Sequence, residues 1–321
     1  MFRDDLDGYH KPVRRLSTLT VASLVTASLA LAGCASSSQL SGPAGGSSSA
    51  GGDSIDKVLA DAPTASSIPS GTLMAKIKQA GVLRVGGTDA GPVFSIKDPV
   101  SGKLTGFDAD LSQMLAKYII GKPSTSLTLT SVATREPLLQ NGAVDTVFAT
   151  YTITPARAQK VDFAGPYYTS GDAILVKKDN TTITKVADLN GRTVATESNS
   201  TAAADIAKFA PQAKVTLFAD DNSCVQAVQQ GRADAYVLDQ GILLGDATKA
   251  NDVKVVGEPF TQEPYGIGTP KQSPEMKKFV DDWLKQIETA GLWQRLYKLT
   301  IGKVVTGDPP TPPQIGSVPG S

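Results

Sequence analysis

Twice in this chain a helix-like stretch stops at a glycine and turns at once into an apolar run of strand length. Asn141-Gly-Ala-Val-Asp145 leads into TVFAT, and Gln230-Gly-Arg-Ala-Asp234 leads into AYVLD. A glycine that ends a helix and a buried strand that follows it are the punctuation of an α/β unit. The surrounding sequence keeps the alternation. Val82–Val85 reads as a short buried strand, followed by the Gly-rich turn GGTDAG. Gly106–Ile119 reads as a helix, with Leu111, Met114, Leu115 and Tyr118 on one face. Leu127–Val132 alternates as a strand, TREPLLQNG reads as a short helix with Gly142 as its stop, and Val144–Ala149 reads as a second buried strand. Further on, Arg192–Thr196 predicts a strand and AAADIAKFA a helix capped by Ser200 or Thr201. Two α/β units are therefore expected, each a mostly parallel sheet covered by helices on both faces.

In sheets of this kind ligands bind beyond the carboxyl ends of the strands. Behind the first buried strand stand Thr150, Thr152 and Arg157; behind the second stands Asp239; behind the strand ending at Thr196 stand Glu197, Ser200 and Thr201. A guanidinium and a helix N-terminus suit a carboxylate, and Asp239 suits an ammonium, so the set fits a zwitterion. Each residue also has a plainer reading: Arg157 as a surface ion-pairing residue, Thr152 as a strand residue, Asp239 as a helix N-cap.

Composition narrows the chemistry. Lys plus Arg and Asp plus Glu both number 31 in the 321 residues, which gives no basic face for nucleic acid. With 40% hydrophobic residues a sizeable core is available. The one histidine is His10, at the extreme N-terminus. If that end is removed, Ser-His-Asp and Cys-His catalysis and His-ligated metal sites are excluded. Two cysteines, Cys34 and Cys224, are too few for a disulfide framework or a four-cysteine zinc site. No cofactor and no metal are expected.

The N-terminus reads as an address. Arg3, Lys11, Arg14 and Arg15 precede the uncharged run Leu16–Gly33, which ends in Leu31-Ala32-Gly33-Cys34. That tetrad resembles the lipobox of bacterial lipoproteins. The resemblance implies a signal peptide at 1–33 and a lipidated Cys34 that holds the protein on the outer face of the cytoplasmic membrane. Residues 34–75 are rich in Ser, Gly, Ala and Pro and read as a flexible tether, and the Pro-rich stretch 306–321 as a disordered tail.

Gly106-Phe-Asp-Ala-Asp-Leu111, Ala149-Thr-Tyr-Thr-Ile-Thr-Pro-Ala-Arg157, Val161-Asp-Phe163, Pro166-Tyr-Tyr168, Ser223-Cys-Val-Gln-Ala227 and Pro264-Tyr-Gly-Ile-Gly268 occur in this order. The ordered set resembles the amino-acid-binding family of ABC-transporter solute-binding proteins, the actinobacterial glutamate-binding lipoproteins in particular, from about Gly81 to Lys303. The resemblance implies a two-lobed periplasmic-binding-protein-like fold of type II. Lobe 1 would hold 76–169 and 258–305, lobe 2 would hold 170–257, and the segments near Tyr168–Asp172 and Gly257–Thr261 would form a hinge. It implies that Arg157 clamps the α-carboxylate with help from Thr152, Ser200 and Thr201, and that Asp239 and the Thr150 carbonyl take the ammonium. Asp89 and Phe94 fall at pocket positions, and Arg135 at the place where acidic amino-acid binders keep a side-chain-recognising arginine. A helix-start surface residue is the plainer reading of Arg135.

Two departures bear on the ligand. Many glutamate-binding relatives have a lysine where this chain has Gly87, and Glu197 stands near the expected pocket. The implied ligand is L-glutamate or a related amino acid: aspartate, glutamine or asparagine. Several relatives also pair the cysteine matching Cys224 with one at the position of Ala195, so Cys224 is expected to be a free, buried thiol. The implied partners are an ABC permease and ATPase, or alternatively a membrane sensor, with the binding protein a monomer. A few relatives of this fold are dehydratases, but a body without histidine argues against an enzyme.

Overall fold

The computed structural model describes residues 52–321; the expected signal peptide at 1–33 and Cys34 lie outside them. In chain order the first part comprises α1 (Ile55–Asp61), α2 (Leu73–Ala80), β1 (Leu83–Gly87), β2 (Ala90–Gly91), β3 (Ser95–Lys97), β4 (Leu104–Thr105), α3 (Phe107–Ile120), β5 (Thr125–Leu129), α4 (Arg135–Gln140), β6 (Thr146–Val147), α5 (Pro155–Ala158) and β7 (Asp162–Ser170). The second comprises β8 (Asp172–Lys177), β9 (Thr193–Glu197), α6 (Ala202–Phe209), β10 (Lys214–Phe218), α7 (Asp221–Gln229), β11 (Ala235–Asp239), α8 (Gln240–Lys249) and β12 (Val253–Val256). The chain then returns with β13 (Glu263–Thr269), α9 (Pro274–Thr289) and α10 (Leu292–Leu299).

These strands form two five-stranded sheets, β5-β1-β6-β13-β7 and β10-β9-β11-β8-β12, and a small sheet β2-β3-β4. Each large sheet is mixed. Four strands in each share one direction, as strand–helix alternation demands, and a single strand, β13 in the first and β8 in the second, runs against them. The antiparallel members adjoin the crossovers, where the chain turns back without an intervening helix.

The repeated Gly-x-x-Asp element has one structural job in both places. Asp145 accepts the backbone N–H of Arg84 at 2.9 Å, and Asp234 accepts that of Thr193 at 2.8 Å. Each aspartate thus anchors the start of the neighbouring parallel strand, β1 or β9. The echo in the sequence is a duplicated register pin.

Two expectations about the ends are corrected. Residues 53–75 are not a tether: Val58 and Met74 are buried against the core, and Arg295 on α10 holds both Asp53 and Asp61 in salt bridges. Short apolar spacings (Val58, Leu59, Ala62; Met74, Ile77) carry this packing inside a composition that otherwise reads as linker. The stretch 306–321 is irregular but laid on lobe 1. Gly316 donates its N–H to the Gly165 carbonyl, and Ile315 and Val318 pack on the core.

The chain passes between the large sheets at Ser170–Asp172 and again between Val256 and Glu263. These two segments are stitched side by side. The Asp172 N–H donates to Thr261 Oγ1 at 2.8 Å, and the Phe260 N–H donates to the Asp172 carbonyl at 2.9 Å. Gly171 is needed here, because a Cβ would lie 2.4 Å from the Thr261 carbonyl oxygen.

The lobes also touch away from the crossovers. The turn Pro92–Phe94 of lobe 1 rests on the face of α8 that carries Gly241 and Gly245. A Cβ on Gly245 would fall 2.3 Å from Pro92 Cβ, and one on Gly241 about as close to the Phe94 ring as 3.0 Å. Alanine at 245 favours the helix by about 1 kcal/mol but abolishes this seat. Gly245→Ala is therefore expected to keep its cooperative unfolding and to show a larger radius of gyration by small-angle scattering. Superimposable scattering curves for mutant and wild type would remove the seat from the account.

Candidate functional site

Between the lobes lies a cavity of about 260 Å³, adjoined by a smaller one of about 40 Å³. All ten residues singled out in the sequence line this space. Asp89 and Phe94 line the larger part, Thr152, Arg157, Ser200, Thr201 and Asp239 the smaller, and Arg135, Thr150 and Glu197 both.

Arg157 follows from its helix. Thr154 caps α5 by accepting the Arg157 N–H at 3.2 Å, which turns the side chain back under the strand end. Its guanidinium donates to the Thr152 carbonyl at 2.8 Å and, across the lobes, to the Asn199 carbonyl at 3.1 Å. It is buried, not a surface residue. Arg135 is also buried, which corrects the surface reading. It lies 4.1 Å from the centre of the Tyr151 ring and donates to the Ala149 carbonyl at 3.0 Å. Burial and the neighbouring Arg157 push its pKa down, to about 10. Among the described residues neither arginine has a carboxylate within salt-bridge distance.

The start of α6 departs from expectation. Thr201 occupies the N-cap position, but no side chain caps the helix. Its hydroxyl donates to Glu263 Oε2 at 2.8 Å, and the Ser200 hydroxyl donates to the Glu197 carbonyl at 2.7 Å. With no capping side chain over it, the helix end keeps its first N–H groups and its positive dipole for an anion in the cleft. Asp239 likewise stands at the start of α8 without making a cap bond, and its Oδ1 has no hydrogen-bond partner. Burial, and then the nearby Glu263, raise its pKa to about 7.

Thr150 is held in the left-handed region at φ 44°. Its N–H donates to Asp108 Oδ2 at 2.7 Å, while Tyr167 donates its hydroxyl to Asp108 Oδ1 at 2.7 Å. Burial raises the Asp108 pKa to about 6. Backbone strain fixed by a buried carboxylate is the mark of a positioned group, here the Thr150 carbonyl. Asp108 was visible as part of Gly-Phe-Asp-Ala-Asp, but nothing in the sequence tied it to Thr150. Asn199, Asp220, Asp221 and Glu263 were missed for the same reason: each enters through tertiary contact.

Phe94 is buried, packs edge-on against Tyr265 with centroids 5.7 Å apart, and gives its carbonyl to the N–H groups of Asp108 and Ala109 at the head of α3. Gly87 has no room for a longer residue without adjustment, since a Cβ would lie 3.0 Å from the Phe148 carbonyl. Cys224 is free and buried, and burial raises its thiol pKa.

Two α/β lobes on two crossovers, with unpaired cations, an open helix end and a buried carboxylate facing one cleft, define a ligand-capturing protein. The family of bacterial extracellular solute-binding proteins, family 3, matches residues 83–303, and the chain belongs to it. A glutamine-binding protein of Geobacillus stearothermophilus is 37% identical over 80% of this chain and 92% of its own length. A glutamate-binding protein of Corynebacterium efficiens is 33% identical over 66% of this chain and 76% of its own. Among solved structures, an ancestral amino acid-binding protein described as a precursor of cyclohexadienyl dehydratase is 38% identical. It aligns with a TM-score of 0.66 over 72% of this chain and all of that one.

Glu197 is the outlying group. Burial, followed by the charge of Asp221, raises its pKa from 4.5 to about 8. Between those values the folded chain holds a proton that the unfolded chain has released, so stability falls as pH rises toward about 8 and is level above it. Glu197→Gln removes this loss. Its gain in Tm over wild type should be small near about pH 5 and widest above about pH 8. Parallel Tm–pH profiles for the two proteins would show that Glu197 is not the proton carrier.

Proposed function

We propose that this protein captures a polar amino acid in the interlobe cleft and delivers it to an ABC importer, with glutamate the preferred ligand and aspartate, glutamine and asparagine also taken. The observation that carries the reading is the zwitterion-matched cleft. Arg157 and the α6 end stand on one side, the Asp239 carboxylate and the Thr150 carbonyl on the other. The ligand's ammonium would offset the cost of ionising Asp239, and its carboxylate would complete the Arg157 fork. The glutamine- and glutamate-binding relatives support the same ligand class.

Arg135 and Glu197 divide the side-chain end. Arg135 supplies a cation for a second carboxylate, which would otherwise be costly to bury. Glu197, protonated at neutral pH, supplies a donor that suits an amide or a carboxylate and loses it when it ionises. Ligand contacts drawn from both lobes favour the closed state, which is how binding would be transmitted to a permease. The reading assigns no catalysis to the cleft.

Titration calorimetry on two variants separates the roles. Arg157→Ala should weaken glutamate and glutamine alike, by about 30-fold or more. Arg135→Ala should weaken glutamate far more than glutamine, with Arg135→Lys restoring part of the difference. Equal losses for both ligands in Arg135→Ala would make Arg135 structural and remove the acidic preference. No measurable binding of any amino acid by the wild type would overturn the reading as a whole.

We also propose that Cys34 carries the lipid that holds the protein outside the cytoplasmic membrane, since two acyl chains give stable insertion where one is marginal. Cys34→Ser should move the protein from the membrane fraction to the medium. Intact mass spectrometry that finds an unmodified Cys34 in native membranes would refute the anchor.

A further inference from the structure

Where the two crossovers meet, three carboxylates converge from separate parts of the chain. Asp172 opens β8, Glu263 opens β13, and Asp205 lies in α6. One oxygen from each lies within 4.8 Å of the others. Asp172 has no exposed surface at all, and no ordinary donor reaches either of its carboxylate oxygens, whose nearest polar neighbour is the Asp205 carboxyl. Glu263 is 4% exposed and Asp205 half-buried. No salt bridge among the described residues reaches any of the three. Lys208, on the same helix, bears on Asp205 by its charge without forming a salt bridge.

An unpaired buried carboxylate is costly, and three in one place are sustained only by a counter-charge or a proton. Oxygens that all bind one ion at about 2.4 Å must lie within about 4.8 Å of one another, a condition these three meet. The donors are all oxygen, which selects a hard cation over zinc or copper. The Thr201 and Thr261 hydroxyls stand beside the cluster as further oxygens, the first 2.8 Å from Glu263 and the second accepting the Asp172 N–H. Calcium tolerates such an irregular set, whereas magnesium demands near-ideal octahedral geometry at shorter distances.

We propose that Asp172, Asp205 and Glu263 bind one divalent cation of the calcium class and that the ion ties α6 to both crossovers. No metal is expected from the sequence, because it holds one histidine and two cysteines. A carboxylate site assembled from three distant segments has no motif.

The test uses the purified mature protein, stripped with chelator and dialysed, without added amino acid. Calcium chloride should give a single saturable site by calorimetry and a saturable rise in Tm, because a ligand bound only by the folded state stabilises it. Sodium chloride at matched ionic strength should give neither, and magnesium chloride a weaker response. The isosteric variants Asp172→Asn and Glu263→Gln, checked for cooperative unfolding, should each lose the calcium response by at least tenfold in affinity. Absence of heat and Tm shift in the wild type would overturn the site, as would an undiminished response in both variants. A Tm that ignores calcium, and whose fall with rising pH is reduced by Asp172→Asn in a Glu197→Gln background, would assign the cluster to a shared proton and also overturn it.

Discussion

Two lobes can act on one ligand only if their connection holds them in register and still permits rotation, and here that connection is the pair of crossovers at Gly171 and Thr261. Their backbones approach so closely that no side chain fits at position 171. Asp172 exchanges main-chain and hydroxyl contacts with both Phe260 and Thr261. The edges of the two sheets are thereby fixed relative to one another, and the strand ends that carry Thr152, Glu197 and Asp239 come to face a common space. Every electrostatic relation across the cleft follows from this junction.

Those relations have a common form: charge is buried without its partner. Arg135 lies on an aromatic ring, Arg157 spends its donors on carbonyls, and Asp239 keeps an oxygen unpaired. Such groups lower the stability of the empty closed form and are repaid by a ligand of the opposite charge pattern. The raised pKa values of Asp239 and Glu197 express the same imbalance, because burial favours whichever form of the acid is neutral.

Local pattern made much of this legible. The helix-stop glycines marked both α/β units, and strand ends named seven of the residues that line the cleft, since ligand positions in such sheets follow from topology, while Asp89, Phe94 and Arg135 came with the family resemblance. What escaped was either tertiary or masked by composition. Thr201 was read as a cap, yet its hydroxyl turns to Glu263, a residue 62 positions away. Asp108 was seen in a motif, but its role in straining Thr150 depends on two elements meeting. The first helix was hidden inside a Ser- and Pro-rich stretch because only Val58 and its neighbours carry the apolar signal. The mostly parallel sheets follow from the alternation, which says nothing about the one opposed strand, β13 or β8, that each sheet gains after a crossover.

The connectivity of the two sheets also sets an order of assembly. Every strand of β10-β9-β11-β8-β12 comes from one unbroken stretch, Asp172–Val256, so that half can complete itself from contacts near in sequence. The other sheet cannot. Its β13 lies between β6 and β7 and arrives only after the entire second lobe has been made. Until then β7 has no neighbour in its sheet, and the place of Trp283 and Trp293 in the core stands empty. Loop closure over so long an insertion is slow relative to local pairing. The lobe that carries both ends of the described chain is therefore the last to become whole, and it finishes around a partner already formed.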